Sequence, residues 1–119
     1  MSHSPPDIHA AQLHALGARL AEQPAPQPST GDLWADVIER TEHPTLRALY
    51  KARRQQGIER YGTPLQRGNG RDFLSDALQE ACDLVVYLEG TEDRGLIRRA
   101  EDILVAILAR MDDLTDDLR

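Results

Sequence analysis

The sequence predicts an all-α fold, a helical bundle, on three observations. Leu, Ala and Ile recur three and four residues apart through most of the chain, β-branched runs with period-two alternation are absent, and proline and glycine punctuation cuts the periodic segments into helical lengths. With one Phe, one Trp and three Tyr in 119 residues, the core must be aliphatic. This length suits a single core, with room for a partner subunit to supply part of the burial.

Ser4-Pro5-Pro6-Asp7 reads as a helix start, with Ser4 capping, proline in the first turn and an acid set against the helix dipole. Leu13, Leu16 and Leu20 mark a short amphipathic helix to about Glu22, ended by Pro24-Ala25-Pro26-Gln27-Pro28. Alternating prolines favour an extended, semi-rigid spacer, so residues 1–30 are expected to form an N-terminal helical arm with its linker, and residues 31–119 the helical domain. A second helix is expected from about Asp32 to Glu42, stopping before Pro44. The third runs from near Pro44 to about Tyr61 and is expected to carry Leu46, Leu49, Tyr50 and Ile58 inward, with a kink or close backbone approach at Gly57. Gly62-Thr63-Pro64 and Gly68-Asn69-Gly70 then bound a turn-rich loop holding Arg67 and leading to Arg71.

The fourth helix is expected from about Arg71 to Glu89, with Phe73, Leu74, Ala77, Leu78, Ala81, Leu84, Val85 and Leu88 as its apolar arc. The fifth, from about Arg94 to Leu118, sets Ile97, Ala100, Leu104, Ile107, Met111, Leu114 and Leu118 in an unbroken three-four spacing that Leu96, Ile103 and Leu108 widen. That stripe is wider than one neighbouring helix needs, so a homo-oligomer, a dimer or tetramer burying part of this helix between subunits, is expected.

Composition limits the partners. Twenty acidic residues against 14 basic give a net charge of −6, which argues against general affinity for nucleic acid, where phosphate neutralisation drives binding. No apolar run approaches the span of a bilayer, the N-terminus lacks a secretory h-region, and a lone Cys82 makes no internal disulfide; together these predict a cytoplasmic protein. His3, His9, His14 and His43 form no metal signature.

The chemistry concentrates at Asp76, Glu80 and Asp83. Their i, i+4, i+7 spacing gathers three carboxylates in one strip of a helix, where either water solvates them or a hard cation such as Mg²⁺ sits among them. Lys51, Arg67 and Arg71 are the favoured phosphate contacts, because a glycine-bounded loop and a helix start beside carboxylates make a natural anion edge. Tyr61 and Tyr87 are candidates for stacking on a base, against the plainer reading that they pack on a core.

Glu80-x-x-Asp83, followed by an apolar run and Tyr87, resembles the E-x-x-D helix of the MazG-like, all-α nucleoside triphosphate pyrophosphohydrolases. The strings Arg60-Tyr61-Gly62-Thr63-Pro64-Leu65, Asn69-Gly70-Arg71-Asp72 and Asp76 to Leu88 are similar to small MazG-related proteins of phage and prophage genomes, over roughly residues 46 to 90. The resemblance implies a Mg²⁺-dependent hydrolysis of a nucleoside triphosphate to monophosphate and pyrophosphate, with Glu80 and Asp83 as catalytic metal ligands. The family's E-x-x-E half is missing, since the preceding helix reads Thr45-Leu46-Arg47-Ala48-Leu49-Tyr50-Lys51. Asp76 and Glu59 are the acids placed to complete the ligand count. The alternative is a non-catalytic protein of the same fold that sequesters a nucleotide, phage-encoded and acting on a signalling nucleotide in the host cytoplasm.

Overall fold

The computed structural model describes the backbone of residues 17–117 and the side chains of residues 17–112; the expected helix start at Ser4 and the side chains of Leu114 and Leu118 lie outside the described residues. Residues 17–20 are helical, and four further helices follow: α1 (Leu33–Arg40), α2 (Pro44–Tyr61), α3 (Phe73–Glu89) and α4 (Arg94–Asp117). There is no strand among the described residues, and no helix is long and apolar enough to cross a membrane. The chain divides into two compact units: Pro24–Arg71, and the remainder, formed by residues up to Gln23 together with those from Asp72 onward.

In the second of these units α3 packs on α4. Asp72 starts α3 by accepting the amides of Leu74 and Ser75 on its carboxylate, at 3.0 and 3.3 Å, which satisfies donors that have no partner within the first turn. Leu78 and Ala81 of α3 and Ile97, Ala100 and Met111 of α4 are its buried apolar residues, each 5 % exposed or less. Between the helices Thr91 returns its hydroxyl to the Leu88 carbonyl at 2.6 Å and accepts the Asp93 amide. Asp93 in turn accepts the Leu96 amide at 3.1 Å, so the turn opens α4 with its own cap.

In Pro24–Arg71, α1 packs on α2. Asp32 caps α1 through the Ala35 amide, Pro44 occupies the first turn of α2, and Gly62 closes α2 at φ 83°, a left-handed conformation that strains any residue bearing a Cβ. The proline-rich stretch is extended, as its composition predicts, yet it is tied along its length. The Gln27 amide donates to the Asn69 carbonyl at 2.7 Å, the Arg71 guanidinium to the Pro24 carbonyl at 3.0 Å, and the Ser29 hydroxyl to the Arg67 carbonyl. Asn69, between the positive-φ glycines 68 and 70, is only 2 % exposed.

Several predicted inward positions face solvent. On α2, Leu46 and Leu49 are 41 % and 55 % exposed, because the eight-residue α1 covers only part of the surface of the 18-residue α2, while Tyr50, with its ring 6.3 Å from that of Trp34, and Ile58 are half-buried. On α3, Phe73, Ala77 and Leu84 are likewise exposed. Gly57 neither stops α2 nor admits a neighbour, since an added Cβ would meet nothing within 4 Å.

Candidate functional site

Three cations of α2 are brought onto one concave surface. Arg47, Lys51 and Arg54 are four and three residues apart, a spacing that aligns them on the helix side facing α1. With Ala35, Ile38 and Glu39 of α1 they line an open cavity of about 400 Å³, within the size range of small-molecule sites. Ile38, the buried apolar residue of α1, gives that cavity an apolar wall.

The three cations differ in freedom. Arg54 is oriented by Asp32, which accepts its Nη2 at 2.7 Å and its Nε at 2.9 Å on one carboxylate oxygen. The hydrogen bond from Arg54, together with the backbone amides at the start of α1, outweighs burial and holds the Asp32 carboxyl below its ordinary range. Asp32 thus does two jobs, capping α1 and fixing one wall of the cavity. Arg47 and Lys51 are exposed and make no hydrogen bond or ion pair among the described residues. Glu39 is the single acid on the lining. Such an arrangement suits an anion, with one pre-set guanidinium and two cations able to close on the ligand.

The remaining expected site residues fall in both units. Arg67 is committed to Asp36 at 3.0 Å and Arg71 to the Pro24 carbonyl, so both act as ties of the extended segment and the loop. Tyr61 is 71 % exposed with the Arg60 guanidinium 5.2 Å from its ring centre, and Glu59 accepts the Gln55 amide at 3.3 Å. Glu59, Tyr61, Arg67 and Arg71, with Lys51, belong to Pro24–Arg71; Asp76, Glu80, Asp83 and Tyr87 belong to the other unit.

On α3, Asp76 is half-buried and accepts the Gln23 amide at 2.7 Å. Glu80 and Asp83 are exposed and make no hydrogen bond or ion pair among the described residues. Tyr87 is 75 % exposed. No group of three or more His, Cys, Asp or Glu side chains among the described residues is placed to hold a metal ion. Octahedral Mg²⁺ held by Glu80 and Asp83 would take its other ligands from water and phosphate.

Sequence reasoning favoured Lys51 and did not single out Arg47 and Arg54 beside it. The signal available was their common line with Lys51, and what it lacked was the side of α2 against which α1 would pack. Compared with protein-family models, with curated proteins and with solved structures, the chain gives no match.

Proposed function

We propose that this chain binds a nucleotide by its phosphates at the cavity between α1 and α2, and that binding rather than turnover is its role. The observation that carries the reading is the pairing of Arg47 and Lys51, two cations without a partner among the described residues, with an Arg54 already oriented by Asp32 around an open cavity of about 400 Å³. A di- or triphosphate offers the several oxygens that such a set engages, and arginine takes phosphate in bidentate fashion.

The test is a titration of nucleoside triphosphates and of inorganic pyrophosphate into the purified protein, followed by calorimetry and thermal shift. Arg47→Gln with Lys51→Gln removes two charges from exposed positions and is expected to weaken binding by about tenfold or more, with charged hydrogen bonds contributing on the order of 1.5–3 kcal/mol before solvent screening. Binding of equal strength in wild type and variant overturns the reading.

Hydrolysis of a nucleoside triphosphate is the second reading, favoured by Glu80 and Asp83 standing exposed on one strip of α3 without a partner among the described residues. Pyrophosphate release that requires Mg²⁺ and disappears in Glu80→Gln with Asp83→Asn supports it. Nucleotide binding without any release supports sequestration.

A further inference from the structure

The cavity between α1 and α2 carries one residue that a phosphate site does not call for. Glu39 shares its lining with Arg47, Lys51 and Arg54, yet it is exposed and makes no hydrogen bond or ion pair among the described residues. The fold decides where on the lining it sits. Asp32, the cap of α1, bonds Arg54 in the second half of α2, and only Thr41, Glu42 and His43 join the two helices, so α1 runs back along α2. Ala35, Ile38 and Glu39, three and four residues apart, share the side of α1 that faces the cavity. Arg54 therefore marks the Asp32 end of the cavity, and Glu39, in the last turn of α1, belongs to the opposite end, level with Arg47.

An ionised carboxylate only accepts hydrogen bonds, and beside phosphate oxygens it repels. Its presence fits a ligand that brings donors to that end of the cavity. In a nucleoside polyphosphate the sugar follows the phosphates directly, and its neighbouring 2′ and 3′ hydroxyls offer two O–H donors that the two oxygens of one carboxylate accept together. Acidic side chains take ribose hydroxyls in this way in dinucleotide-binding folds. The other residues that α1 gives to the lining, Ala35 and Ile38, are apolar, and no aromatic ring is among the described lining residues to stack on a base. Most base edges, moreover, set an acceptor next to each donor, and a carboxylate opposes it. Resting on the phosphate-binding reading above, we propose that Glu39 determines specificity at this site by accepting the ribose 2′ and 3′ hydroxyls, so that the ligand is a ribonucleotide in preference to its 2′-deoxy counterpart. The phosphates then run from Arg54 past Lys51 toward Arg47, and the sugar sits at Glu39.

The test is calorimetric titration of the full chain with adenosine triphosphate, its 2′-deoxy form, guanosine triphosphate and inorganic pyrophosphate, each with and without Mg²⁺. The wild type should hold the ribonucleotide about tenfold more tightly than the deoxynucleotide, less than a buried hydroxyl contact gives because Glu39 is exposed. Glu39→Ala should erase that preference and at the same time tighten pyrophosphate binding, since it removes both the acceptor and the repelling charge. Alanine at an exposed helical position keeps the helix, which circular dichroism checks. Equal binding of ribose and deoxyribose forms by a wild type that still takes pyrophosphate overturns this inference and leaves the phosphate reading standing. Absence of binding by all four ligands overturns both. A sugar preference that survives Glu39→Ala, or a loss shared equally by every ligand, removes Glu39 from the role. A preference seen only with Mg²⁺ does so too, because the carboxylate would then act on the cation. A preference for guanosine over adenosine triphosphate that vanishes in the variant, with both sugars bound alike, overturns the ribose assignment in favour of a base contact.

Discussion

Asp72 is the most connected side chain at the start of α3. Besides the Leu74 and Ser75 amides, it accepts the Ser75 hydroxyl at 2.9 Å and the Arg19 guanidinium at 3.0 Å, and its backbone is gripped by the Gln23 amide. Burial pushes its carboxyl up, but the bonds from Ser75 and Leu74 and the Arg19 charge prevail and hold it below the ordinary value of 3.8. A carboxylate whose pKa is lowered by folding contributes stability that is present above its unfolded value and lost as the pH falls below it. Acid unfolding should therefore steepen below pH 3.8, and Asp72→Asn, which keeps the cap and removes the charge, should flatten that limb in denaturant titrations at pH 3 to 5. Asp72→Ala removes both and is expected to cost about 1 kcal/mol at neutral pH. At the end of α2, Gly62→Ala asks a Cβ to occupy φ 83° and should cost about 1–2 kcal/mol, read from the midpoint of thermal unfolding.

Among the elements, α3 and α4 hold the clearest core. Leu78 is 3 % exposed, and Leu78→Ala should destabilise the protein by about 2–5 kcal/mol, measured by urea unfolding. Here sequence and structure agree closely. The expected helix from Arg71 to Glu89 is observed as Phe73–Glu89, and that from Arg94 to Leu118 as Arg94–Asp117, because Asp72, Gly90 and Asp93 are local signals that act without knowledge of the rest of the fold. The faces of α2 were not legible in the same way. At 100° per residue, Leu49 and Ile58 lie on opposite sides of α2, so its apolar residues define no single stripe and only the packing of α1 decides which of them is covered. The same circumstance hid the cavity: Arg47, Lys51 and Arg54 become a set once α1 is laid beside them, whereas Arg67 and Arg71, flagged by their glycine-rich loop, are taken up by Asp36 and the Pro24 carbonyl.

For the molecule as a whole, all-helical architecture was readable because the absence of alternating β-branched runs is a property of composition and local order, while the grouping of helices into units depends on tertiary bonds that periodicity does not encode. The chain leaves one unit after Gln23 and returns to it at Asp72, and these two residues are bonded to each other: the Gln23 side-chain oxygen accepts the Asp72 amide at 2.6 Å, and its nitrogen donates to the Asp72 carbonyl at 3.2 Å. At the matching ends of the other unit the Arg71 guanidinium holds the Pro24 carbonyl. Topologically, Pro24–Arg71 is an insertion whose exit and entry points coincide, so the host gives up little by housing it and has no geometric need of it. Replacing those 48 residues with a glycine linker of about six should spare the host about 2 kcal/mol of loop-closure entropy and leave α3 and α4 helical by circular dichroism, with loss of that signal showing that the host depends on its guest. An insertion of this kind can be exchanged without rebuilding what surrounds it, which makes the α1–α2 hairpin the part of this chain most open to replacement as a whole cassette.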